Sequence, residues 1–309
     1  IVHGGLQYTE AAVITPKVFA ALQALTSLAP LHQGPGLTGV QAAQAALPDA
    51  VQVACFDTAF HAGHADAERR YAIARAWHER GYQRYGFHGL SFDAISRRLP
   101  TVLGERAQGA VLVAHLGSGA SLCGMQGLKS VTTTMGFTAL DGLMMGTRCG
   151  ALDPGLVLQW FAHDGMSPSE VSDLLYLHSG LLGVSEISAD TRDLLANPDP
   201  RAVQAIALFV ASIVRQMGAV MAALGGLDAL VFTGGIGTHQ PAIRAAVVQR
   251  LAWLGLALDA EANASGHLQL ASSASRIPIL AMATDEEAVM AAQAAALATS
   301  NPASTMTDP

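Results

Sequence analysis

Between residues 109 and 136, glycine cuts the chain into three short apolar runs, GAVLVAHLG, SGASLCGMQ and LKSVTTTMG. Each is too short for a core helix and suits a pleated surface covered on at least one face. Glycine at the joints permits tight turns, so the three runs read as an antiparallel meander. Downstream the period changes. The sequence predicts a helix near 168–178 and a long apolar helix through AIALFVASIVRQMGAVMAALGG. It then predicts the strand ALVFTGG, a helix near 240–254, the strand IPILAMA and a last helix from Glu286 to about Ala298. A meander followed by alternating helices and strands leaves few architectures, and the expected class is α/β, a mixed sheet flanked by helices.

The first third is less regular. IVHGG reads as a strand entering a turn, followed by a helix over 15–28. A loop containing Pro35 and Gly36 precedes a short helix near 40–46. AVQVACFDTAF reads as a buried strand that delivers Asp57 at its tip. DAERRYAIARAWHERG reads as one helix stopped by Gly81, and YGFHGLSF as a loop entering a short helix. The expected domains are 1–105, the remainder of an N-terminal unit, and 106–300, a C-terminal unit, with a flexible tail over 301–309.

Composition narrows function. Half the chain is hydrophobic (51%) and only 13% is charged, which favours a well-buried fold. A net charge of −7 leaves no basic face for phosphate backbones, so a nucleic-acid partner is not expected. The long apolar helix is interrupted by Arg215 and carries its large residues at helical spacing; it reads as a core helix rather than a membrane span. Cys55, Cys123 and Cys149 fit no metal-ligand spacing, and an odd number of cysteines fits a reducing cytoplasm.

Several stretches carry chemistry-bearing residues. AHLGSGAS is either an ordinary glycine hairpin or an anion cradle in which backbone amides, Ser118 and Ser121 donate. FTGGIGTHQPAIR is a strand, glycine turn and helix that aims amides at a ligand, or else a structural turn; it fits neither the P-loop nor GxGxxG. SEISADTRDL holds Asp190, Arg192 and Asp193, as a capping loop or a ligand contact. ATDEEA sets Asp285, Glu286 and Glu287 at a helix start, where carboxylates serve the helix dipole or a hard cation such as Mg²⁺. Asp57 at a strand tip and His88 in a glycine-flanked turn are each read as either bracing or catalytic. In MGFTALDGLMMGTRCGALDPG, glycines let backbone approach a ligand and methionines exclude water, so the lone Arg148 is placed to clamp an oxyanion. The alternative is a structural ion pair with Asp153.

Taken together, IVHGG, FDTAFH, YGFHG, HLGSGAS, MGFTALDGLMMGTRCGALDPG, SEISADTRDL, FTGGIG and TDEEA resemble, in order, the acetokinase family of the superfamily of sugar kinases, actin and heat-shock chaperones. The resemblance implies two actin-like (ribonuclease H-like) domains, the N-terminal one incomplete. It also implies phosphoryl transfer between ATP and acetate, giving ADP and acetyl phosphate, with Mg²⁺ or Mn²⁺. It assigns Asp57, His88 and Arg148 to catalysis and Glu286 to the metal. It places the nucleotide against His115, Leu116, Gly117, Ser118 and Gly119, against Asp190, Thr191 and Arg192, and against Gly235, Ile236, Gly237, Thr238 and His239. Val2, Leu31 and Phe87 would line the acyl pocket. A cytoplasmic homodimer is implied.

The sequence departs from the family pattern in several places. The family's NAGSSS segment and the arginine before the IVHGG block have no counterpart, so the alternative is a nucleotide-binding fragment with little activity. Ser118 stands for the usual asparagine, Thr238 and His239 for Glu-Asn, and Asp285 for asparagine. Ala139 stands for a proline bordering the acyl pocket, which keeps propionate or another short acid open as the substrate.

Overall fold

The computed structural model describes residues 1–29 and 32–300. The meander forms as expected: β3 (Val111–Leu116), β4 (Ala120–Gln126) and β5 (Lys129–Thr133) pair antiparallel. On the other edge of β3, β6 (Ala229–Thr233) and β7 (Ile279–Ala281) add in parallel, giving the order β5-β4-β3-β6-β7. This is the mixed sheet of an α/β fold. A separate two-stranded sheet joins β1 (Ala12–Val13) to β2 (Val53–Ala54).

Both faces of the five-stranded sheet are covered because β3 and β6 are apolar at nearly every position. Leu112, Ala114, Leu230 and Phe232 face a large cluster with Phe209, Ile213 and Met217 of the long helix Pro200–Leu224. Val111, Val113, Ala229 and Val231 face Phe92, Ile95 and Leu99 of the helix Gly89–Leu103. The Pro200–Leu224 helix has the length and composition of a bilayer span, yet its apolar stripe lies against the sheet. The last helix, Glu286–Ser300, packs Val289 and Met290 against Cys55, Leu90 and Ala94.

Five expectations are corrected. IVHGG is not a strand: His3 N–H donates to Gln33 Oε1 (3.1 Å) and Gly4 N–H to Thr58 Oγ1 (3.1 Å), so side chains satisfy its backbone. AVQVACFDTAF supplies only the two residues of β2, because its partner β1 is equally short and Phe56 C=O already closes a turn onto Ala59. The expected short helix at 40–46 begins earlier, at Gln33; Pro35 is tolerated in its first turn, where its missing N–H had no helical partner. DAERRYAIARAWHERG breaks into Asp66–Arg69 and Arg75–Glu79. Between them Tyr71 is drawn out, its hydroxyl accepting from Phe137 N–H (2.8 Å) and its ring lying under the Arg84 guanidinium. The helix after YGFHG is long, not short, and runs to Leu103. The expected tail at 301–309 lies outside the described residues.

One buried cation shapes the far end of the sheet. Arg244, 1% exposed, donates to Gly237 C=O (2.9 Å), Thr238 C=O (2.8 Å), Asn263 Oδ1 (2.8 Å) and Asn263 C=O (2.7 Å). It holds the last carbonyls of the glycine helix Gly234–His239 in place of a counter-ion. Arg244→Met is expected to lower stability by roughly 3–5 kcal/mol, because three buried acceptors and one part-buried acceptor lose their donor. Urea denaturation checks this; a loss under 1 kcal/mol would show that water replaces the guanidinium at no cost.

Candidate active site

Three chain segments converge at the carboxyl ends of β3 and β6. The parallel register sets His115 opposite Thr233, so the glycine loop 116–119 and the helix Gly234–His239 start side by side. Gly146 N–H donates to Ser118 C=O (3.2 Å), which ties the Arg148 loop to the same place. A carboxyl-end crevice of this kind is where open α/β sheets bind ligands.

Arg148 and His88 meet over Gly119. A Cβ placed on Gly119 would lie 2.9 Å from Arg148 Nη2 and 3.3 Å from His88 Nε2, so only glycine leaves both groups room. Arg148 Nη1 donates to Ala139 C=O (2.7 Å), and burial lowers its pKa. No carboxylate among the described residues pairs with it. Asp153, the alternative partner, instead caps the helix Pro154–Ala162 by accepting from Gly155 N–H (2.8 Å). The His88 ring stacks on His115 with centroids 4.2 Å apart, and its Nδ1 lies 2.9 Å from Ser121 Oγ. Burial, then His115 and Arg148, hold the His88 pKa well below the ordinary histidine value, so the ring is neutral at pH 7. The same burial takes His115 to about 4, and its Nδ1 meets Ser91 Oγ at 2.8 Å.

The carboxylates form a second group. Asp57 is pushed up to about 6, first by desolvation and then by Glu286. Glu286 is itself raised by burial. Asp285 caps its own helix by accepting from Ala288 N–H (2.9 Å), which leaves Glu286 free of that task. Asp57 also fixes the His88 turn through its backbone, since Gly89 N–H donates to Asp57 C=O (3.0 Å). Among the described residues no three His, Cys, Asp or Glu side chains surround a metal position. Two repelling carboxylates do match Mg²⁺, which takes one or two such ligands and completes its shell with phosphate oxygens and water.

The remaining candidates divide. Leu116 and Thr191 are buried, so only their backbone can face a ligand, whereas Ser118, Gly235 and His239 are exposed. Gly235–His239 is a short helix rather than a turn, and Thr238 Oγ1 donates back to Gly234 C=O (2.7 Å). Asp190 caps the helix Thr191–Ala196 and forks onto Arg192, the local role left open by the sequence. Phe87 is buried in the central cluster, with Val2 and the Arg148-binding Ala139 packed against it. Leu31 lies outside the described residues. A cavity of about 400 Å³ lined by Leu6, Tyr8, Leu25, Tyr82 and Phe137 opens nearby and includes none of Asp57, His88 or Arg148.

Two site residues escape sequence reading. His32 is close enough to Arg148 and His88 to be coupled electrostatically to both. Thr233, fully buried, has a hydroxyl without a hydrogen-bond partner among the described residues, at the start of the glycine helix. The only sequence signal for Thr233 was its place directly before GGIG.

A guanidinium and a neutral imidazole over a glycine loop, with desolvated Asp57 tied to the same turn and Glu286 near it, match the needs of a phosphotransferase. The model of the acetokinase family matches residues 1–292. An acetate kinase of Rhodopseudomonas palustris (strain TIE-1) is 51% identical over 294 residues, covering 94% of this chain and 74% of the relative. One from Rickettsia felis is 40% identical over 291 residues, covering 94% and 76%. Among solved structures, a propionate kinase from Francisella tularensis superposes with TM-score 0.90 at 35% identity, covering 95% of this chain and 77% of that one. Porphyromonas gingivalis acetate kinase superposes with TM-score 0.88 at 35% identity, covering 96% and 77%. The chain belongs to the acetokinase family.

Proposed function

We propose that the protein transfers the γ-phosphoryl group of ATP to acetate, reversibly, giving ADP and acetyl phosphate. The meeting of Arg148 and His88 over Gly119 carries this reading. Phosphoryl transfer needs charge stabilisation and positioning more than covalent chemistry. Arg148, anchored through Nη1, turns Nη2 to the migrating phosphoryl oxygens. Ser121 O–H donates to Nδ1 of neutral His88, which keeps the ring proton on Nε2, the atom facing Gly119; from there it donates without adding charge beside Arg148. Asp57 orients the acyl acceptor. Backbone amides of 118–119 and 235–237, with the Thr233 hydroxyl, receive the nucleotide phosphates, and Asp190 to Arg192 border its far side.

Glu286, with Asp57, would hold Mg²⁺ or Mn²⁺. Bound there, the metal screens the negative charge of the phosphates.

Val2 and Phe87 line the acyl pocket beside Ala139. Acetate is the first substrate; propionate is the second reading, favoured by small Ala139 at the pocket wall and by the propionate kinase neighbour. A panel of acetate, propionate and butyrate decides by kcat/KM. One methylene is worth roughly 10- to 200-fold, so a preference of that size for acetate supports the first reading, and the reverse order replaces it.

Residues 1–105 and 106–300 are read as two units, supported by their separate sheets. A cytoplasmic setting is supported by three unpaired cysteines. Homodimerisation is supported by the helix Pro154–Ala162, which buries no residue although Leu156, Leu158 and Phe161 are apolar and Leu158 is 67% exposed. Light scattering is expected to give about twice the 31.9 kDa chain mass; a monomer at micromolar concentration contradicts it.

A further inference from the structure

The turn that presents His88 is strained. His88 sits at φ 58°, a left-handed conformation that side chains with Cβ avoid, and Gly86 two residues earlier sits at φ 77°. Something must hold the turn there. Beneath it lies His61, 1% exposed and absent from the phosphoryl-transfer reading. Its Nε2 meets Phe87 C=O at 3.0 Å, and its ring presses so close under Gly86 that a Cβ there would come within 2.6 Å of Cδ2.

Proton accounting fixes the direction of the contacts. A carbonyl has no hydrogen to give, so His61 Nε2 is the donor. Burial pushes the His61 pKa down to about 3, so the ring is neutral and Nδ1 carries a lone pair. Ser130 Oγ, 2.8 Å away, therefore donates its single proton to Nδ1. That oxygen also meets His64 Nε2 at 2.6 Å and Cys123 Sγ at 3.3 Å, and both must donate to it. The result is one buried chain, His64 to Ser130 to His61 to Phe87 C=O, running from β5 and the 61–64 segment to the peptide just before His88.

We propose that His61, locked by Ser130 and His64, is a positioning residue that holds the His88 turn in its left-handed form and keeps His88 Nε2 facing Arg148. The proposal rests on the reading of His88 as the imidazole of phosphoryl transfer.

Two variants of one residue test it. His61→Gln keeps an N–H donor near the Nε2 position; His61→Leu removes it. His61→Leu is expected to lower kcat by about 10- to 100-fold, the scale of a misplaced catalytic group, while KM for ATP and acetate stays within about two-fold. His61→Gln is expected to recover most of kcat although both variants melt earlier than the native protein. Equal loss of kcat in the two, or a loss carried by KM, overturns the proposal. Long-range ¹H–¹⁵N spectra of the native protein and Ser130→Ala need no turnover. They are expected to show His61 and His64 as neutral Nε2–H tautomers, with His88 ring signals shifted in Ser130→Ala. A His61 Nδ1–H tautomer, or unmoved His88 signals, overturns it. A native protein that makes no acyl phosphate would refute the functional reading alone, and the spectra would still decide the positioning.

Discussion

Arg148→Ala is expected to lower the rate of acyl phosphate formation by about 10²–10³ and to leave the protein folded. The size follows from the surroundings. Arg148 is half-buried beside the Gly119 loop, where a unit charge acts through a lower dielectric than in water. No carboxylate among the described residues neutralises it, so its charge is available to an incoming oxyanion. Stability is spared because, among the described residues, the side chain makes one hydrogen bond, to the part-buried Ala139 C=O. Arg148→Lys should restore only part of the rate, since an ammonium cannot bond Ala139 and still reach phosphate with a fixed fork. Steady-state kinetics with a thermal melt checks both halves; near-normal turnover in Arg148→Ala removes the residue from the reaction.

The second large effect is on stability. His3, His61 and His64 are buried and neutral, with pKa values held by burial near 4, 3 and 4, below the ordinary 6.5. As pH falls below 6.5 the unfolded chain takes up protons that the native state refuses, three of them at these histidines and others at buried His88 and His115, so stability is lost with acid. At pH 5 each histidine accounts for about 2 kcal/mol, roughly 6 kcal/mol together. Asp57 works the other way: its pKa, raised to about 6, lets the native state bind a proton first and returns a smaller amount over the same interval. A net loss of at least about 4–6 kcal/mol is a large share of a typical folding free energy, so the protein is expected to melt far earlier at pH 5 than at pH 7.5. Urea midpoints across that range test it; a flat profile would mean that these histidines are charged, or hydrated, in the native state.

The two halves of the chain differed in how far local pattern decided structure. β3 and β6 were readable because nearly every position is apolar and glycine or polar residues mark both ends. The Pro200–Leu224 helix was readable because Phe209, Ile213 and Met217 recur on one face. Helix Pro154–Ala162 went unread, because Asp153 and Pro154, an N-cap and first-turn pair, stood inside a stretch already assigned to anion binding. The break at Tyr71 could not be read locally, since its cause is Phe137, sixty-six residues away.

The same distinction runs through the site. Arg148, His88, Asp57 and Glu286 announce themselves by chemistry and glycine context. His61 does not, because its role depends on Ser130 across the meander and on one backbone carbonyl. Arg244 looks like an ordinary helix residue until Asn263 and the carbonyls of Gly237 and Thr238 close around it. His115 was read as a nucleotide contact; its ring is committed to Ser91 and to stacking on His88, which ties the loop to the imidazole as well.

The most direct test is whether the γ-phosphoryl group of ATP leaves for acetate. With ATP, Mg²⁺ and acetate, the acyl phosphate is trapped as its hydroxamate and ADP is measured alongside. The account predicts saturable, acetate-dependent hydroxamate, formed one for one with ADP and lost in Arg148→Ala. ADP released without hydroxamate, or nucleotide bound with no transfer to any short acid, would contradict it.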